Sequence, residues 1–372
     1  MSRLYSIGSP PSTGTPAPPP LGPRLFEASS PQDPLQDSDS ATRLIDAFGR
    51  RLTYLRVSVT DRCNLRCSYC LPEDAEFPAG DRDLLSPDEL ESLVGALVRL
   101  GIRRVRLTGG EPLVRKDILE IARRIKALPG VLDLALSTNG TELARLAPAL
   151  QLAGVDRVNV SLDSLDAERF RAVTRRGDVA RVLEGIEAAL AAGLHPVKLN
   201  AVLLGEESLE DAARLAALTL DRPLSVRFIE MMPTAANRHL QPGLYLSSDR
   251  VVAHLEARFG PLVADDPARV LPRTGPARTC KIAGAQGSLG FITPLSHTFC
   301  ADCNRLRLTA RGDLRLCLFA ERDYPLRPLL QEPDAGAAVE REILRVLAEK
   351  PAEHLLRQGS SGDLVSFMQI GG

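Results

Sequence analysis

From Tyr54 onward the chain alternates short apolar runs with longer helical patterns, six times over, and this repeat limits the fold more than any other feature. The runs 54–60, 103–108, 132–138, 155–162, 196–203 and 224–230 are rich in Val, Leu and Ile and have the length of strands. Between them the apolar residues take up a helical period. Ser86-Pro87-Asp88-Glu89 offers an N-cap, a first-turn proline and a capping-box glutamate, after which Leu90, Leu93, Val94, Leu97 and Val98 share one face. Asp178 likewise precedes Val182, Leu183, Ile186 and Leu190, with Gly193 as the stop. Six successive βα units require a parallel sheet with right-handed crossovers. Six is short of the eight that close a TIM barrel. The expected fold is therefore α/β, an incomplete (β/α)6 TIM-type barrel, curled and open along one side.

After Pro233 the pattern changes. Gly, Pro and Arg become frequent, one helix fits 249–259, short strands fit 280–292 and 304–309, and a last helix falls near 335–350. The expected organisation is a barrel over 41–233 and a C-terminal α+β region over 234–372 that covers the open side. Residues 1–40 carry nine of the 28 prolines and an acidic, serine-rich stretch without apolar period, which reads as a disordered extension. A formal charge of −1 gives no global field toward nucleic acid or anionic membranes. No apolar run has the length of a membrane span and no signal peptide is legible. Seven cysteines, an odd number at metal-like spacings, argue for a reducing cytoplasm rather than a disulfide framework.

Those cysteines fall into two sets of three and a spare, Cys280. Cys63-x-x-x-Cys67-x-x-Cys70 follows the first strand. Three thiolates on one short loop can hold three irons of a cubic iron–sulfur cluster and leave the fourth open to a substrate or cosubstrate. The alternatives are a zinc loop, although zinc loops usually pair two C-x-x-C units, or disulfides. The second set is Cys300-Ala-Asp-Cys303 with Cys317. It suits a zinc site completed by His297 or Cys280, or a second cluster. Arg305 and Arg307 alternate on the next strand and so share one face, where paired guanidiniums can grip a polyphosphate. Arg56, Arg106 and Lys198 lie inside apolar strands, where a cation is costly unless it faces a polar lumen. No His/Asp/Ser constellation stands out, so no catalytic acid–base residue is assigned.

The first loop resembles the radical S-adenosylmethionine (SAM) superfamily. Residues 43–372 resemble the GTP 3',8-cyclase family, radical SAM enzymes that open molybdenum cofactor (molybdopterin) biosynthesis. The motifs that carry this are Leu44-Ile-Asp-Ala-Phe-Gly-Arg50, Thr60-Asp-Arg-Cys-Asn64, Thr108-Gly-Gly-Glu-Pro112, Phe299-Cys-Ala-Asp-Cys-Asn-Arg-Leu-Arg307 and the terminal Gln369-Ile-Gly-Gly372. The resemblance implies a lyase with two [4Fe-4S] clusters, on Cys63, Cys67 and Cys70 and on Cys300, Cys303 and Cys317. It implies SAM contacts at Tyr69, Gly110, Ser161 and Met232, and GTP contacts at Arg56, Arg106, Ser137, Lys198, Arg305 and Arg307. The Gly371-Gly372 tail would insert toward the active site. The implied reaction starts with a 5'-deoxyadenosyl radical taking hydrogen from ribose C3' of GTP, and the sugar radical then closes onto guanine C8. The implied partners are a reductant such as flavodoxin or ferredoxin and, downstream, a cyclic pyranopterin monophosphate synthase. The implied assembly is a homodimer or a monomer.

Overall fold

The six apolar runs become six parallel strands, each within two residues of its expected bounds. They are β1 (Tyr54–Ser58), β2 (Arg104–Thr108), β3 (Asp133–Thr138), β4 (Arg157–Ser161), β5 (Lys198–Leu203) and β6 (Ser225–Glu230). The computed structural model describes residues 42–77, 83–237, 243–265, 275–358, 360–362 and 367–370. The proline-rich extension, 1–40, lies outside the described residues, as does the Gly371-Gly372 end. Among the described residues no helix is long and apolar enough to cross a membrane.

Helices connect the strands: α1 (Pro87–Leu100), α2 (Ile118–Ala127), α3 (Leu143–Leu152), α4 (Ala167–Thr174), α5 (Val179–Ala191) and α6 (Leu209–Asp221). Ser86 starts α1 with a reciprocal capping box: its Oγ accepts from Glu89 N (3.2 Å), and Glu89 Oε2 accepts from Ser86 N (2.8 Å). Such a cap contributes about 1 kcal/mol. Asp178 caps α5 by accepting from Ala180 N at 3.0 Å.

The C-terminal residues add α7 (Ser248–Phe259), β7 (Val263–Ala264), β8 (Arg278–Lys281), β9 (Ser288–Ile292), β10 (Arg305–Leu308), β11 (Asp313–Arg315), β12 (Tyr324–Pro325) and α8 (Ala335–Leu347). They extend the sheet at both edges. β10 pairs in parallel with β1, and β9 in parallel with β6, so eight parallel strands run side by side. β11–β12 and β8–β7 continue outward antiparallel, giving a mixed, open sheet of twelve strands. Periodicity indicated short strands in this region but not their partners, because a strand's pairing is not written in its own pattern.

Most buried parallel strands are apolar on both faces; these alternate. Leu55, Val57, Val105, Leu107, Leu134, Leu136, Val158, Val160, Leu199 and Val226 belong to one continuous core that also includes the helices' apolar faces. The intervening positions carry Arg56, Arg106, Arg157, Asn159, Lys198 and Arg227. The polar face is the lumen, and the site is built there.

One knot ties the start of the described chain to its end. Asp46 Oδ1 accepts from Phe48 N (2.9 Å) and Arg50 N (3.0 Å), and its Oδ2 accepts from Arg50 Nε (2.6 Å). The same guanidinium donates to the carbonyls of Cys300 (2.8 Å), Ala352 (2.7 Å) and Pro351 (2.6 Å). The Asp46 side chain is fully buried. Arg50→Met therefore strands a buried carboxylate and frees three carbonyls. We expect a loss of about 3–5 kcal/mol in urea unfolding, partly recovered by adding Asp46→Asn. An unchanged midpoint would contradict the role assigned to this knot.

Candidate active site

The first cysteine loop leaves β1 and is held in shape by its own backbone and by α4. Cys67 O accepts from Cys70 N (2.9 Å) and Leu71 N (3.0 Å), while Arg66 N and Ser68 N donate to Thr174 O and Val173 O. The Arg66 guanidinium donates to the carbonyls of Cys63 (2.8 Å), Leu65 (2.9 Å) and Ala75 (2.9 Å). Cys63, Cys67 and Cys70 thus line one cavity, and all are thiols rather than disulfides. Burial, then Glu111, pushes the Cys63 thiol up to about 12, and burial, then Asp163, pushes Cys67 well above its ordinary value. The thiolate forms therefore need a cationic partner. Three thiols spread around one cavity fit a multi-iron cluster, in which each thiolate holds its own iron.

The turn after β2 presses against this loop. Gly110 N donates to Thr60 O (2.8 Å) and Glu111 N to Arg62 O (2.7 Å). A Cβ on Gly110 would lie 2.2 Å from Arg62 O, so glycine is required for the approach. We expect Gly110→Ala to displace the cysteine loop and weaken SAM binding at least about tenfold, as a sterically forced shift of a preorganised site does. Equilibrium binding of SAM checks this, and wild-type affinity would contradict it. Glu111, overlooked within its motif, is 1 % exposed. It accepts from Thr138 Oγ1 (2.7 Å), Leu113 N (3.0 Å) and Asn139 N (2.6 Å), and so fixes the turn after β2 to the turn after β3. Burial raises its carboxyl to about 7.

The cavity holds ≈ 210 Å³ of room for water-sized groups, and Tyr69, Gly110, Ser137, Ser161 and Met232 all line it. So do Asn200, Asn237, Phe367 and Met368, none of which the sequence singled out as a contact. Asn237 Nδ2 donates to the carbonyls of Tyr69 (3.0 Å) and Met232 (2.9 Å), joining the cysteine loop to the segment after β6. The Tyr69 hydroxyl donates to Asp163 Oδ2 at 3.0 Å. Phe367 and Met368 come from the tail, whose Ile370 is buried against Phe319 and Leu356 and whose Ile370 carbonyl accepts from Arg307 at 3.5 Å.

Away from the cysteine loop the lumen becomes cationic. The register stacks side chains in rows. Tyr54 stands between Arg305 and Arg104. Arg307, Arg56, Arg106, Ala135 and Arg157 form the next row. Ser137, Asn159, Lys198 and Ser225 form the third, and Ser161, Asn200, Arg227 and Gly290 the fourth. Asp133 Oδ1 accepts from Arg157 Nε at 2.8 Å, and the neighbouring cations also lower one another's pKa. Burial, then Arg307 and Arg106, pushes Arg56 well below the ordinary guanidinium value. Burial, then Arg227 and Arg157, does the same to the Lys198 ammonium. Burial, then Arg106, brings Arg227 down to about 9, and burial, then Arg305, brings Arg307 to about 10. Arg106 Nε and Arg227 Nε have no hydrogen-bond partner. Such a cluster is costly until a polyanion enters it. Arg104, Arg157 and Arg227 were missed, although the rule that marked Arg106 and Lys198, a cation inside an apolar strand, applies to them equally.

The second cysteine set gathers at the start of β10 and the end of β11. Burial raises the Cys303 thiol, but Arg305, Lys350, the Arg305 N–H and Arg50 outweigh it and hold the group at about 7. Lys350, 3 % exposed, donates through Nζ to Arg305 O (3.2 Å) and to Leu316 O, bridging the two ligand-bearing segments. The His354 N–H donates to the Cys300 sulfur. Neither proposed zinc-completing residue stands with the set: His297 Nε2 faces Asp249 at 3.7 Å, and Cys280 is buried on β8 near Asp265 and Glu256. Three thiols beside fixed cations again suit a cluster of net negative charge.

Residues 57–219 match the family model of the Radical SAM superfamily, and residues 224–356 match Molybdenum Cofactor Synthesis C. The chain is 45% identical over 327 residues to the GTP 3',8-cyclase of Pelotomaculum thermopropionicum, covering 88% of this chain and 99% of that one. It is 48% identical over 331 residues to the GTP 3',8-cyclase of Heliobacterium modesticaldum, covering 88% and 100%. Among solved structures, Streptococcus suis SuiB shares the fold at a TM-score of 0.52 and 15% identity, over 83% of this chain and 68% of that one. A radical SAM half, a Molybdenum Cofactor Synthesis half and near full-length relatives of one name lead to one conclusion: the chain belongs to the GTP 3',8-cyclase family of the radical SAM superfamily.

Proposed function

We propose that the protein converts GTP to (8S)-3',8-cyclo-7,8-dihydroguanosine 5'-triphosphate, the first step of molybdenum cofactor biosynthesis. The observation that supports this reading most is the lumen itself, where three cysteines line a cavity whose Ser137, Ser161 and Asn200 are sheet neighbours of rows bearing buried cations. Cys63, Cys67 and Cys70 would hold an iron–sulfur cluster, and Cys300, Cys303 and Cys317 a second. When bound, such a cluster supplies with SAM the one-electron chemistry that activates a C–H bond.

The chain's own residues bind and orient. Gly110, Tyr69, Ser161 and Met232 wall the SAM cavity, with Asn237 holding two of those segments in place. Arg56, Arg106 and Arg307 take the triphosphate, with Lys198 meeting the phosphate nearest the sugar, and its negative charge relieves their mutual repulsion. Ser137 lines the cavity in the same row as Lys198. Phe367 and Met368 bring apolar tail surface to the cavity wall, where they would limit access of water to the reacting atoms. A low-potential donor such as flavodoxin or ferredoxin would supply electrons, and a cyclic pyranopterin monophosphate synthase would consume the product.

Anaerobic incubation of iron-reconstituted protein with SAM, reductant and GTP tests the reading by mass spectrometry. We expect 5'-deoxyadenosine together with a cyclised nucleotide of the mass of GTP. Deoxyadenosine formed while GTP stays intact would reject the substrate.

A further inference from the structure

Asn159 is a buried side chain with neither end satisfied. It lies on β4, 1 % exposed, and neither Nδ2 nor Oδ1 has a hydrogen-bond partner. Buried carboxamides are seldom left so, because each unpaired atom keeps its desolvation cost. Its register partners are Ser137 on β3 and Lys198 on β5. Val158 and Val160, on either side of it in the chain, belong to the apolar core, so Asn159 points into the lumen. The row on one side, Ser161 and Asn200, lines the cavity assigned to SAM. The row on the other holds Arg106, Ala135 and Arg157. A phosphate alone could not satisfy this side chain: Nδ2 would find an acceptor, but Oδ1 would still need a donor. Hydroxyl groups offer both.

We propose that Asn159 binds the ribose cis-diol of the nucleotide, with Nδ2 donating to one hydroxyl oxygen and Oδ1 accepting from the other hydroxyl. The inference rests on the GTP reading and deepens it. With the triphosphate among the arginines and SAM in the cavity, the sugar occupies the row between, where its C3' can face the cosubstrate. Asn159 is then a specificity residue, because a site built to pair with hydroxyls rejects an analogue that lacks them.

The test is anaerobic equilibrium binding of GTP and of 2',3'-dideoxy-GTP to the reconstituted, SAM-loaded protein, wild type and Asn159→Leu. Leucine keeps the volume and removes the unsatisfied atoms, so the variant should melt no lower than wild type. Wild type is expected to prefer GTP at least about tenfold, the worth of one to two net hydrogen bonds; the variant binds the two nucleotides alike. A variant that keeps the wild-type ratio overturns the proposal, as does one that loses affinity for both nucleotides by the same factor, which would place the contact on the base. Equal affinities in wild type overturn it without any variant. If wild type binds neither nucleotide, the GTP reading itself falls, and that outcome is distinct from the others.

Discussion

Lys198→Met is expected to make the ligand-free protein more stable while weakening GTP binding about a hundredfold. Lys198 is 4 % exposed, and burial, then Arg227, Arg157 and Arg106, holds its ammonium well below the ordinary value. In the free protein it is a desolvated charge among like charges, so a methionine of similar shape should add about 1–3 kcal/mol. In the complex the same ammonium meets phosphate, and truncating one partner of a buried charge pair costs about 2–5 kcal/mol. The sign with pH follows. Lysine has a lower pKa folded than unfolded, so its penalty is fully present below the folded pKa. The penalty fades as pH rises through that value and is gone above the unfolded value near ~10.4. The variant's advantage in urea unfolding should therefore be largest below the folded pKa and vanish in alkali. A variant less stable at neutral pH, with GTP affinity unchanged, would mean that Lys198 serves the fold rather than the substrate.

Cys303→Ser is expected to separate SAM cleavage from cyclisation. Four cations or donors converge on this thiol and hold it at about 7 despite its burial, and Lys350 bridges the segments that carry Cys303 and Cys317. The change should leave the loop of Cys63, Cys67 and Cys70 intact. Iron content then falls by about half, from roughly eight to four per chain. Deoxyadenosine formation persists, and the cyclised product drops by more than the roughly 10–100-fold that loss of a supporting contact costs at a metal site. Equal loss of both products would show that the second set serves the first loop's structure instead. Iron analysis and product quantification on one preparation decide between these outcomes.

The barrel was legible because its signals are local. Apolar runs placed β1 to β6 within two residues, and Ser86 with Glu89 placed the start of α1. Nothing local could say that β9 and β10 would dock in parallel on opposite edges of the sheet. The candidate contacts divide in the same way. Motif glycines and strand cations could be read, yet the clash that requires Gly110 involves Arg62 O across two loops. Arg50 meets Cys300 and Pro351 from some 250 and 300 residues away. Asn237 is an ordinary turn residue in sequence, and only the fold brings it to Tyr69. Arg157, Arg227 and Asn159 were legible in principle. They alternate with valines and leucines in strands already identified, and a stricter reading of that alternation would have placed all three in the lumen.

The lumen is expected to hold the nucleotide's ribose against SAM, with the triphosphate drawn away into the cation rows. Turnover of GTP carrying deuterium at C3' tests it directly. The 5'-deoxyadenosine released with the cyclised product is expected to carry the C3' deuterium. Deoxyadenosine free of label, formed alongside the cyclised product, would contradict it.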